Sequence, residues 1–190
     1  MAANNYQNIK IGIDIGTSKV VCLIAESSPD GINVIGLGSH PSKGLRDGVV
    51  VDIDSTVNAI RQATERAEMM SGIAVNKAYV GISGGSSCGL NSEGAVQIRD
   101  RKVKASDVDK VINSAGAQSI SEGHKMLHIL PRDFLIDQQS GIKEPLGMAG
   151  VRLEAKVHLV TCSKNAAENI DSCMKACGIS AVSYTHLTLP

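Results

Sequence analysis

Apolar positions along the chain first alternate and then cycle. Residues 9–14 (IKIGID), 19–26 (KVVCLIAE) and 32–38 (INVIGLG) are β-branched runs of strand length with polar interruptions. Ile15-Gly16-Thr17-Ser18 separates the first two, a turn short enough to make them a hairpin. The third run follows the turn Pro29-Asp30-Gly31, so the three strands read as a meander. From Asp54 the period lengthens. Val57, Ile60, Ala63, Ala67 and Met70 recur at helical spacing, Asp54 or Ser55 can cap the helix, and Gly72 can end it. Residues 77–83 (KAYVGIS) return to a strand. The first block is thus predicted as β-β-β-α-β.

Beyond it the pattern lapses. Residues 84–94 (GGSSCGLNSEG) are rich in Gly and Ser, show no period, and read as a loop at a domain boundary, with a short strand at 95–98. Ser106 can cap a helix running to Ala117 that carries Val108, Val111, Ile112 and Ala115. Residues 127–136 are apolar on either side of Pro131, which predicts an edge strand or a break between two strands. Residues 144–150 form a loop. Residues 151–161 (VRLEAKVHLVT) alternate clearly as a strand, and residues 164–176 form a helix ended by Gly178. Ile179 begins a further strand, but residues 182–190 (VSYTHLTLP) interrupt it. That string resembles the translation of a transposon-end adapter used in DNA sequencing. It is therefore set outside the fold as a non-native tail, Tyr184 and His186 are given no role, and the functional protein is expected to be longer.

Composition narrows the class. With 43% hydrophobic and 20% charged residues the chain is of globular type, and with one Phe and no Trp its core must be aliphatic. Zero formal net charge and the lack of a basic stripe argue against a nucleic-acid partner. No run approaches signal-peptide or membrane-spanning length, and five cysteines without a CxxC pair read as reduced thiols.

The chemistry concentrates in Gly12–Lys19 (GIDIGTSK). An acidic residue ends a strand, and a Gly-Thr-Ser turn follows that can aim backbone N–H groups at a phosphate. Gly16 admits close approach, Thr17 and Ser18 add hydroxyls, Asp14 can hold a hydrated Mg²⁺, and Lys19 either adds charge or lies on the strand surface. An ordinary polar hairpin turn is the alternative on composition alone. The motif is neither a P-loop nor a dinucleotide fingerprint. Other patterns are set aside. Ser140–Lys143 matches SxxK but sits in a turn without partner motifs. His124 and His128 straddle a loop-to-strand transition, where metal ligands at that spacing do not converge, and Cys173 and Cys177 share a helix face as core residues. Asp100-Arg101-Lys102 is a charged, solvated turn.

GIDIGTSKVVCLIAE resembles the first phosphate motif of the actin, Hsp70 and sugar-kinase superfamily. Residues 48–72 and, more specifically, 128–163 resemble the FtsA family. The resemblance covers roughly residues 9–181. It implies an α/β, actin-like fold of the ribonuclease H-like kind, interrupted by the FtsA-type SHS2 insert. The expected boundaries are a flexible 1–8, an actin-like first subdomain in 9–83 and 161–181, an insert in 84–160, and the tail in 182–190. It also implies ATP and Mg²⁺ as cofactors. Asp14, Gly16, Thr17 and Ser18 match the nucleotide motif, with Asp14 meeting Mg²⁺ through water, and Lys19 matches less closely because actin places its lysine further along. Self-association into filaments, a tether for the FtsZ ring on the cytoplasmic face of the inner membrane, contacts with later division proteins, and weak or incidental ATP hydrolysis follow from the same resemblance. Membrane attachment would use a C-terminal helix outside this chain. A kinase or Hsp70-type ATPase of the superfamily, or a scaffold that has lost nucleotide binding, are the rival readings.

Overall fold

A computed structural model describes residues 8–82, 87–117 and 120–186. Residues 1–7 and 83–86, to which the flexible start and part of the Gly/Ser loop were assigned, lie outside the described residues. In chain order the first elements are β1 (Ile9–Ile15), β2 (Lys19–Ser28), β3 (Gly31–Pro41), β4 (Leu45–Arg46), β5 (Val49–Val50), α1 (Ile53–Ser71) and β6 (Lys77–Ile82). They are followed by β7 (Ser87–Gln97), α2 (Ala105–Ala117), β8 (His124–Ile136), β9 (Gln139–Ile142), β10 (Arg152–Ser163), α3 (Lys164–Ala176) and β11 (Ser180–His186). The chain divides into two compact units, residues 1–87 with 163–190 and residues 88–162.

The first unit is built on a five-stranded sheet in the order β11-β6-β1-β2-β3. β1 and β2 form an antiparallel hairpin, pairing Ile15 with Val20 and Asp14 with Val21, and β1 runs parallel to β6, pairing Ile13 with Val80. Partners across a ladder share a face. Ile13, Ile15, Val20, Cys22, Ile24, Val80 and Ile82 therefore line one face, and all are buried. α1 covers that face. Its Thr64 reaches Cys22, and Gly36 and Gly38 of β3 lie against its backbone: a Cβ on Gly38 would fall 1.9 Å from the carbonyl oxygen of Ala63.

This close approach corrects the helix reading. The buried stripe is Thr56, Ala59, Ile60, Ala63, Thr64 and Ala67, while Val57 is half-buried and Met70 exposed. Small residues win because large ones do not fit between α1 and the glycines of β3. The two buried hydroxyls are satisfied one turn back, Thr56 by Asp52 O and Thr64 by Ile60 O. The cap also lies earlier than Asp54 or Ser55. Asp52 accepts from the Ser55 N–H at 3.1 Å and from its hydroxyl at 2.6 Å. Gly72 does end the helix, in the left-handed conformation that a residue without Cβ adopts freely.

The strand thought to be cut short after Gly178 is present. β11 runs parallel to β6 from Ser180 to His186, which corrects the exclusion of residues 182–186 from the fold. The register shifts between Ala181 and Ser183, so Val182 is the extra residue of a bulge. Tyr184, given no role from sequence, donates to Asp171 Oδ1 at 2.7 Å.

The second unit holds a four-stranded sheet in the order β7-β10-β8-β9. Val111 and Ala115 of α2 share a core with Phe134, Ile136, Leu153, Ala155, Val157 and Leu159. Three expectations change here. Residues 87–94 are strand, not loop. β7 is an edge strand whose Ser92 hydroxyl donates to Ala115 O at 2.8 Å, and a Cβ on its Gly94 would come 2.4 Å from Ala115 N. Its small residues serve contact with α2 rather than a turn. α2 begins at Ala105 rather than after a Ser106 cap, and the Asp107 carboxylate reaches back to the Lys104 N–H at 3.1 Å, one arm of a capping box. β8 is continuous through Pro131 and lies between two strands. β9 is only four residues long and pairs at Phe134 and Ile136, so no β9 donor is asked of the proline. Asp137 and Gln138, both at positive φ, form the two-residue turn between β8 and β9. The Asp137 carboxylate then accepts from the N–H groups of Val151 and Arg152 at 2.8–3.1 Å, fixing the start of β10.

Candidate phosphate-binding turn

The β1–β2 register decides which side chains meet. Asp14 faces Val21, and Lys19 stands two residues from Val21 on the same strand, so Asp14 and Lys19 project diagonally on one face. That face is opposite the one covered by α1, and it carries Leu23, Leu37 and Tyr79, exposed at 36%, 51% and 43%. Asp14 is half-buried. Its Oδ1 is buried with no partner, and burial raises its carboxyl above the usual carboxylate range while Lys19 pulls it back down. A carboxylate oxygen removed from water without a donor is costly unless a cation or a donor completes it.

The turn itself differs from a bare nest of amides. The Gly16 N–H is used within the hairpin, donating to Lys19 O at 3.1 Å. Thr17 and Ser18 are exposed at the tip. The Thr17 hydroxyl accepts from the Gly48 N–H at 3.1 Å, and Ser18 O accepts from the Ser42 N–H at 3.0 Å. The five residues singled out from sequence are thus brought together, with Asp14 beneath the turn and Thr17, Ser18 and Lys19 at its rim.

Sequence reading missed the β4–β5 hairpin that touches this turn. Its signal was present: Asp47-Gly48 between Leu45 and Val49-Val50 is a strong two-residue hairpin dipeptide, and both residues take positive φ, 50° and 76°. Elsewhere, no group of three or more His, Cys, Asp or Glu side chains placed to hold a metal occurs among the described residues.

The donor set fits a hydrated divalent cation and a phosphate group. One orphaned carboxylate oxygen can accept from metal-bound water, and two hydroxyls can donate to phosphate oxygens.

A helix-backed sheet with this turn, joined to a second α/β unit, defines an actin-like fold carrying an insert. The solved PilM–PilN type IV pilus biogenesis complex shares that fold at a TM-score of 0.63 and 11% identity, over 93% of this chain and 47% of that chain. Residues 84–161 match the family described as "SHS2 domain inserted in FTSA". Over 94% of its length the chain is 49% identical to the cell division protein FtsA of Pseudomonas aeruginosa, and over 89% it is 44% identical to that of Neisseria meningitidis serogroup B. The chain belongs to the FtsA family. It spans 43% and 41% of the length of those two relatives.

Proposed function

We propose that the protein works in bacterial cell division as an ATP-binding, actin-like adaptor whose phosphate contact begins at Asp14, Gly16, Thr17, Ser18 and Lys19. The observation that carries this reading is the buried, unpartnered Oδ1 of Asp14 beneath a turn whose exposed rim is two hydroxyls and a lysine. In this reading Asp14 holds Mg²⁺ through water, Thr17 and Ser18 donate to phosphate oxygens, and Lys19 offsets the charge. The rest of the nucleotide site, the contact with FtsZ and a membrane-attaching helix belong to the length that the relatives have and this chain does not span. Nucleotide binding favours self-association, and the assembled protein tethers the FtsZ ring to the cytoplasmic face of the inner membrane and gathers later division proteins. No helix among the described residues is long and apolar enough to cross a membrane.

The test is calorimetric titration of Mg·ATP into the complete reading frame that carries this chain, beside its Asp14→Ala variant. Binding that is lost or weakened at least about tenfold in the variant supports the reading, a tenfold loss being about 1.4 kcal/mol. Equal binding by both proteins removes Asp14 from the site, and no binding by either removes the nucleotide.

A further inference from the structure

The tip of the β4–β5 hairpin reaches the phosphate turn from 31 residues along the chain. The contact is one hydrogen bond, Gly48 N–H to Thr17 Oγ1 at 3.1 Å, and Gly48 is buried there at a φ of 76°. A hydroxyl has one proton to give and two lone pairs. With one lone pair committed to Gly48, the Thr17 oxygen is fixed in place and its proton points away from that donor.

The hairpin can hold this position because its base is also fixed. The N–H groups of Val51 and Asp52 both donate to Gly44 O, at 2.9 and 3.1 Å. Gly44 itself sits so tightly on the start of α1 that a Cβ would fall 2.2 Å from Thr56 Oγ1 and 2.4 Å from Asp52 O. The Ser42 N–H ties the incoming segment to Ser18 O. The hairpin is therefore a strut standing on the N-terminus of α1, with its tip on the phosphate turn.

We propose that the Gly48 N–H is a positioning group of this site: it orients the Thr17 hydroxyl so that its proton donates to a phosphate oxygen of the bound nucleotide. The inference rests on the nucleotide reading above and adds to it a residue from outside the phosphate motif. Gly48 is suited to the role because a β-branched residue at this φ is an outlier, whereas Asn tolerates it.

The experiment is a double-mutant cycle on Mg·ATP affinity in the complete protein. Gly48→Val is expected to weaken binding about tenfold and Gly48→Asn by less than about twofold, a tenfold change matching one well-formed charge-assisted hydrogen bond. Once Thr17→Val has removed the hydroxyl, Gly48→Val should cost nothing further. Amide hydrogen exchange supplies a readout that does not depend on the Gly48 variants folding. The Gly48 N–H should exchange slowly, slow further with Mg·ATP, and exchange faster in Thr17→Val. Equal losses from Gly48→Val in both Thr17 backgrounds, or a Gly48 amide indifferent to Thr17→Val, would overturn the proposal while leaving nucleotide binding intact. A wild-type protein that binds no Mg·ATP would remove the nucleotide reading and this inference together.

Discussion

Gly38 on β3 lies under α1, and Gly94 on β7 lies under α2. In each unit an edge strand lays a glycine against helix backbone, at contacts where a Cβ would come within 1.9 Å and 2.4 Å of a main-chain atom. The uncovered faces are unlike. In the second unit Lys156 stands 3.9 Å from Glu93, Lys143 3.8 Å from Asp133, Arg152 2.9 Å from Glu154, and the His158 ring pairs with Asn91. In the first unit the corresponding face holds Leu23, Leu37 and Tyr79, with Asp14 and Lys19 near its turn end. Helix packing is thus a shared solution, while the second face is laced with opposite charges in one unit and mostly apolar in the other. Each holds one buried carboxylate oxygen without a hydrogen-bond partner, Asp133 Oδ1 with Lys143 3.8 Å away and Asp14 Oδ1 near Lys19.

The largest effect should come from the shared feature. Gly38→Val must push α1 off the sheet, because the obstructing atoms are backbone and cannot rotate away, and a loss of about 3 kcal/mol or outright failure to fold is expected in urea denaturation. A variant as stable as wild type would mean that α1 is not held at this distance. Next is Asp137→Ala. It removes the acceptor of two backbone N–H groups and places Ala at a φ of 47°, for an expected loss of about 2 kcal/mol, with Asn recovering part of it. An unchanged denaturation midpoint would show that water replaces the carboxylate.

The contrast between open faces is sharpened by Asp14→Asn. Because burial raises the Asp14 carboxyl, the folded state holds its proton more tightly than the unfolded chain does. Its contribution to stability is therefore complete below the ordinary carboxylate value and declines as pH rises through the raised one. Without nucleotide, Asp14→Asn should melt a few degrees higher than wild type at pH 7, and the gap should close in acid below the ordinary carboxylate range. A variant that melts lower at pH 7 would place a stabilising partner on Asp14. The smallest effect belongs to the charged face of the second unit. Lys156→Ala should change stability by no more than about 0.5 kcal/mol, and added salt should erase even that, because both members of its pair are at least half exposed. A larger loss would mean that the charges act as a network.

Much of this was legible along the chain. The β1–β2 hairpin, the period of α1 and its end at Gly72, the alternation of β10 and the extent of α3 follow from residues whose local preference agrees with their final place. Two of the failures share one cause. β7 reads as a loop because Ser92 and Gly94 suit turns when seen alone, and only the backbone of α2 explains them. Met70 fits the helical spacing yet is exposed, and spacing does not reveal that the glycines of β3 draw the backbone of Ala63 and Ala67 close to the sheet. In the candidate site the acidic and hydroxyl residues were visible in one short motif, whereas Gly48 was not, since its bond spans 31 residues.

Four of the five thiols are shielded. Cys22, Cys162 and Cys173 are buried, Cys177 is partly so, and burial pushes each thiol up, Cys22 to about 11, while Cys88 is exposed on β7. Since the thiolate is the reacting species, a maleimide dye at neutral pH would attach at Cys88 well ahead of the rest. The inserted unit thus already contains an attachment point for a fluorescent reporter, without engineering a single residue.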